Sequence, residues 1–155
     1  MPREDSLGNV RMLFSIKEEE FMIKELINQL EQLVGSDDFE FEMEEIMERI
    51  EAEGAGIEIV EDLLRIMETH PLDDFGMPGS MVHFIERFDP DYIPLLIQSV
   101  RRSPAMHTVW MLNRCINGVD NKDEYIDVLK EVAGNETIND RIRKSAQEFI
   151  NYQNS

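Results

Sequence analysis

When the chain is slid against itself by 33 residues, four stretches fall into one register. Leu26, Ile59, Tyr92 and Tyr125 align, with Ile27, Val60, Ile93 and Ile126 beside them. Leu30, Leu63, Leu96 and Leu129 follow, then Val34, Met67, Val100 and Ala133. Within each copy the spacing i, i+1, i+4, i+8 puts the apolar residues on one face of an α-helix. An apolar helical stripe that returns at a fixed period in the range of about 20–50 residues marks an array of stacked helical hairpins. Such arrays present extended binding surfaces.

Turn and cap signals cut the chain into eight helices. The first is expected over about 15–34, where Ser15 and Glu18 form a capping box, with Phe21, Met22 or Ile23, Leu26, Ile27, Leu30, Leu33 and Val34 as its apolar stripe. The second covers about 38–53, with Phe39, Met43, Ile46, Met47 and Ile50 apolar, and ends at Gly54. The others are expected over about 57–69, 81–88, 90–102, 104–117, 121–133 and 137–152. Ser80 is the expected cap of the fourth, and Pro94 falls early in the fifth, where its missing N–H costs little. Each second helix of a pair carries an apolar anchor: Ile50, Ile85, Ile116 and Ile150. The expected fold class is all-α: about eight helices in four antiparallel hairpins, stacked as a right-handed array similar to HEAT and armadillo repeats. A compact orthogonal helical bundle is the alternative. Residues 1–155 read as a single helical-repeat domain, with 1–14 as a flexible N-terminal segment.

Charge adds what periodicity cannot. The net charge is −18, with 25 acids and 7 bases in residues 1–100 but 8 of each in 101–155. The densest stretch, 37–62, holds 12 acids and the single base Arg49. Such a field repels nucleic acid, whose binding relies on Lys and Arg neutralising phosphates. It equally repels an anionic membrane surface and steers basic proteins toward the chain. The run Glu40, Glu42, Glu44, Glu45, Glu48, Glu51, Glu53 lacks the dry cleft and split pKa values that acid–base catalysis needs. It matches no EF-hand loop either. It reads as a solvated helix face or as a docking surface for a basic protein, with Glu44, Glu45 and Glu48 as the candidate contacts.

No catalytic motif is present. His70, His83 and His107 lack metal-ligand spacing, the glycines do not follow strands, and the single Cys115 excludes an internal disulfide. Cys115 lies among apolar residues of a helix and reads as a buried, inert thiol. No cofactor is expected. The first residues lack the apolar core of a signal peptide and no run is long enough to span a bilayer, so the expected location is cytoplasmic.

Two short segments stand out. The loop 71–80, PLDDFGMPGS, offers Asp73, Asp74 and Phe75 as candidate contacts, with Phe75 and Met77 expected to be exposed. In 106–118, MHTVWMLNRCING, Val109, Leu112 and Ile116 form a core stripe with Cys115 beside them. His107, Trp110 and Arg114 form a second stripe with the composition of an interface hot spot. A structural role is the alternative: Trp110 would pack on the neighbouring hairpin and Arg114 would pair with an acid.

The stretches GMPGSMVHFIERF (76–88) and VWMLNRCIN (109–117), on a small, acidic, all-helical chain, resemble immunity proteins of bacterial polymorphic-toxin systems, including the contact-dependent growth inhibition class. The resemblance extends over 20–150 in general character and is specific only in those two stretches. It implies a chain that binds a cognate toxin domain, often a basic nuclease, and occludes its active site or substrate groove. It carries over no catalytic residue, because that family acts by occlusion. Our own reading of the residues adds Glu86 to the candidate contacts. The other readings are a HEAT-like adaptor for a cellular protein or peptide and, least compatible with the charge, a helical-repeat glycosylase. The expected free state is a monomer.

Overall fold

A computed structural model describes residues 2–155, with side chains from Gly8 onward. Eight α-helices and one short 3₁₀ turn, with no strand, make up the regular structure of the described residues. The chain divides into two compact units, 1–56 and 57–155.

The first unit is a pair of helices, α1 (Pro2–Gln32) packed on α2 (Phe39–Ala52). Helix α1 starts well before the expected Ser15, so Ser15 and Glu18 lie inside it and form no cap. Residues 2–14, read as a flexible segment, are helical. Pro2 is tolerated in the first helical turn, and the Arg, Met and Leu residues that follow favour helix. The buried face of α1 begins at Ile23 and continues through Leu26, Ile27 and Leu30. Phe21, assigned to the core stripe, is 63% exposed. It lies about 140° around the helix from Leu26, too far to share that face. Helix α2 buries Phe39, Met43, Ile46, Met47 and Ile50, as its spacing requires. It ends before Gly54, whose φ of +83° is a conformation that side-chain-bearing residues rarely adopt.

The second unit runs through the 3₁₀ turn Ile57–Ile59 and α3 (Val60–Thr69), α4 (Ser80–Glu86), α5 (Ile93–Arg102), α6 (Met106–Ile116), α7 (Asp123–Gly134) and α8 (Asp140–Gln153). The helices that carry the 33-residue register lie side by side in chain order, α3 on α5 and α5 on α7. Of their partners, α6 packs on α5, α8 packs on α7, and α6 packs on α8. Leu63, Leu96 and Leu129 are fully buried, as is Leu30 in the first unit. Ile85 and Ile116 are also fully buried, and Ile150 nearly so. A buried leucine of this kind is worth about 2–5 kcal/mol against alanine.

Polar bridges join helices about one repeat apart. Arg102 donates two hydrogen bonds to Glu68, at 2.8 and 2.7 Å, and Ser99 Oγ donates a third at 2.9 Å, which ties α5 to α3. Arg101 pairs with Glu131 of α7 at 3.1 Å. Gln153 of α8 donates to Asn113 and Asn117, on and just after α6, at 3.0 and 3.3 Å. At the start of α4 the N-cap is Gly79 rather than Ser80, whose buried hydroxyl makes no hydrogen bond among the described residues.

Candidate functional site

The ten candidate contacts divide between the two units. Glu44, Glu45 and Glu48 lie on α2, all exposed. Helical spacing explains this: Met43, Ile46, Met47 and Ile50 claim the buried face, and the carboxylates between them turn to water. Among the described residues none of the three makes an ion pair.

The other seven lie in the second unit, where most of them form one continuous chain of contacts. The His107 and Phe75 rings stand edge-to-face with centroids 5.5 Å apart, and the His107 ring lies 5.1 Å from the Trp110 ring. The Arg114 guanidinium sits 5.0 Å from the Trp110 centroid, in cation–π range. It donates two hydrogen bonds of 3.0 Å to the two carboxylate oxygens of Glu86 at the end of α4. His107, Trp110 and Arg114 share a face of α6 because they are spaced three and four residues apart. Met106 N–H donates to the Pro71 carbonyl at 2.8 Å, which anchors the loop after α3 to the start of α6. The loop is thereby held where Phe75 can reach His107.

Burial reassigns two of these residues. Phe75 is fully buried and His107 is 1% exposed, so neither presents a side chain to a partner. The sequence reading expected an exposed Phe75 because Pro, Gly and Asp surround it. The loop instead folds its one aromatic inward and leaves Leu72 and Met77, at 42% and 59%, outside. The Phe75 N–H donates to His107 Nδ1 across a long 3.4 Å bond, so the neutral ring carries its proton on Nε2. Nε2 has no hydrogen-bond partner among the described residues. Burial is the main reason the His107 pKa falls to about 4, while nearby Asp74 and the Gly76 backbone oppose the shift without reversing it. Asp74 caps its own turn, accepting from Gly76 N–H at 2.8 Å. Asp73 lies 3.8 Å from His70 and is half-exposed.

Trp110 and Arg114 are partly exposed and form the outer edge of the cluster, with Glu86 beneath. The Arg114 pKa is raised, chiefly by its hydrogen bonds to Glu86. The bidentate pair fixes the guanidinium over the indole. A cleft of about 180 Å³ opens beside it, lined in part by Glu86, Asp89, Tyr92, Arg114 and Cys115. That is below the roughly 300 Å³ at which small-molecule sites begin. The Tyr92 hydroxyl lies 3.3 Å from Cys115 Sγ, and burial pushes both groups toward their neutral forms. A thiol held neutral is a poor nucleophile. Tyr92 was assigned only a core role from its register; its hydroxyl contact had no signal in the sequence, because Cys115 is 23 residues away.

Among the described residues no group of three His, Cys, Asp or Glu could hold a metal ion, and no helix is long and apolar enough to cross a membrane. No family model matches the chain, and neither a curated protein nor a solved structure matches it.

Proposed function

We propose that this chain is an immunity protein that binds a basic toxin domain, of the nuclease kind, and covers its active site or substrate groove in the cytoplasm. The observation that carries the reading is the exposed carboxylate row of α2. Glu44, Glu45 and Glu48 face solvent within a unit that holds 16 acids against 5 bases. A toxin cleft built to hold phosphates is basic. A row of carboxylates imitates that phosphate array and accelerates encounter. Because α2 is anchored by five buried side chains, the row is preformed and little ordering is lost on docking. Trp110 and Arg114, locked by Glu86, supply a second, preorganised contact of the hot-spot type. The reading requires occlusion only and assigns the chain no catalysis.

Co-expression with the toxic C-terminal domain of a neighbouring large secreted protein tests it. The expected result is restored growth and a tight, salt-sensitive stoichiometric complex. The triple reversal Glu44→Lys, Glu45→Lys, Glu48→Lys should slow association about tenfold or more at low salt and leave thermal unfolding nearly unchanged. Failure to restore growth refutes the reading; unchanged association removes α2 from the interface. A helical adaptor for a cellular peptide is the second reading, favoured by the exposed Leu72 and Met77, and it predicts peptide binding without rescue.

A further inference from the structure

Helix α1 is apolar on two sides, and only one of them is used within the first unit. Ile23, Leu26, Ile27 and Leu30 form the buried side. From Gly8 to Met22 every residue is exposed. In that stretch Val10 is 46%, Leu13 57%, Phe14 65% and Phe21 63% exposed. At about 100° per residue, Val10, Phe14 and Phe21 fall within roughly 40° of one another, on the side of the helix turned away from Leu26 and Leu30. Phe14, Lys17, Glu18, Phe21 and Met22 line a shallow groove of about 340 Å³ along it. Two large aromatics a heptad apart on a solvated face mark an unfilled contact.

We infer that this face pairs with the same face of a second copy of the chain, the two α1 helices running antiparallel. The charge pattern selects both occupant and direction. Residues 8–17 contain Arg11 and Lys17 and no acid, a balance of +2. Residues 18–25 contain Glu18, Glu19, Glu20 and Glu25 against Lys24, a balance of −3. Antiparallel pairing about the junction at 17 and 18 sets each basic half on the acidic half of its partner. It also brings Phe14 of each copy to Phe21 of the other. Parallel pairing would put like halves together. The contact is isologous and closes on itself, so it yields a dimer and not a fibre.

The area is adequate for a modest dimer. A buried phenylalanine removes about 150–250 Å², and the four in the pair are each nearly two-thirds exposed. They contribute roughly 500 Å², about half of the ~1,000 Å² that a specific interface needs. Val10, Leu13, Met22 and the stems of the charged residues supply the remainder. Such an interface corresponds to a Kd on the order of micromolar.

Sedimentation equilibrium of the full chain across the micromolar range tests the proposal. The mass should rise from 18.1 kDa toward twice that value. Phe14→Glu with Phe21→Glu should hold it at the monomer mass with unchanged helical circular dichroism, since both positions are exposed. Arg11→Glu with Lys17→Glu should weaken the dimer at least tenfold, because attraction between halves becomes repulsion. Parallel helices would be indifferent to that reversal, since like charges meet before and after it. A wild-type chain that stays monomeric at several hundred micromolar, or a dimer that survives the phenylalanine substitutions or is indifferent to the charge reversal, overturns the proposal. If the phenylalanine variant instead loses only binding of the co-expressed toxin domain, the face belongs to that partner and the dimer is refuted.

Discussion

Acid should destabilise the second unit through one side chain, His107. The folded pKa is about 4 against 6.5 for the unfolded ring. Above both values the ring is neutral in either state and contributes nothing to the pH dependence. Between them the unfolded chain takes up the proton and the folded chain does not, so stability falls as pH falls. The loss is about 2 kcal/mol by pH 5 and about 3 kcal/mol by pH 4. The physical source is visible in the packing. Protonation would place a charge against the Phe75 and Trp110 rings and a hydrogen on Nδ1, where the Phe75 N–H already points.

The measurement is urea unfolding, followed by circular dichroism at several pH values between 7 and 4, on the wild type and on His107→Asn. Asparagine keeps an acceptor near the Nδ1 position and does not titrate in this range. The two chains share every carboxylate and both other histidines, so the difference between their curves isolates residue 107. At neutral pH the variant should be less stable by about 2 kcal/mol, since two ring contacts worth about 0.5–1.5 kcal/mol each are lost. As pH falls toward 4 that gap should close and then reverse. A gap that stays constant, or a His107 ring resonance that titrates near 6.5, would refute the reasoning.

Three further outcomes are expected. Arg114→Met and Glu86→Gln should each loosen Trp110, seen as a red-shifted tryptophan emission, and the double variant should cost less than the sum of the two, because either change alone breaks the same pair. Gly76→Ala should destabilise the loop by about 1–3 kcal/mol: φ is +90°, and an added Cβ would lie 2.6 Å from the Gly79 Cα. A normal midpoint in urea would contradict this. Leu96→Ala, at the centre of the register, should lower stability by about 2–5 kcal/mol, more than Leu95→Ala at its half-buried neighbour.

How much of this was legible in the sequence depended on whether the determinant was local. The 33-residue register predicted the buried leucines because a helix face is set by spacing within one element. The anchors Ile85 and Ile116 were legible for the same reason. The contact chain from Phe75 to Glu86 was legible only as a list of residue types, since it joins a loop to two helices. Composition suggested that the 71–80 loop exposes its phenylalanine. The outcome instead turned on the Met106-to-Pro71 hydrogen bond and on the imidazole waiting 32 residues away. The start of α1 was misplaced because a good capping pair, Ser15 and Glu18, can also sit inside a longer helix. Phe21 was misassigned because apolar character was given more weight than its angle around that helix.

The even charge of residues 101–155 acquires a different meaning once its cations are located. Arg101, Arg102 and Arg114 do not form a basic surface. Each is spent on an acid of another helix: Glu131, Glu68 and Glu86. Arg143 donates to the Ala133 carbonyl and pairs with Asp140. The three interhelical bridges tie α5 to α7, α5 to α3 and α6 to α4. Glu68 is the clearest case, with its side chain 9% exposed and three donors around it. Such a carboxylate loses far more from the removal of Arg102 than the exposed Glu131 loses from that of Arg101. Arg102→Met should therefore lower stability measurably while Arg101→Met should not, and neither should alter a salt-dependent encounter rate beyond the loss of one charge. If Arg101→Met proved the more damaging, the distinction between bridging and solvated charge would fail. The assignment of docking to the exposed Glu44, Glu45 and Glu48 of α2 would then lose its physical basis.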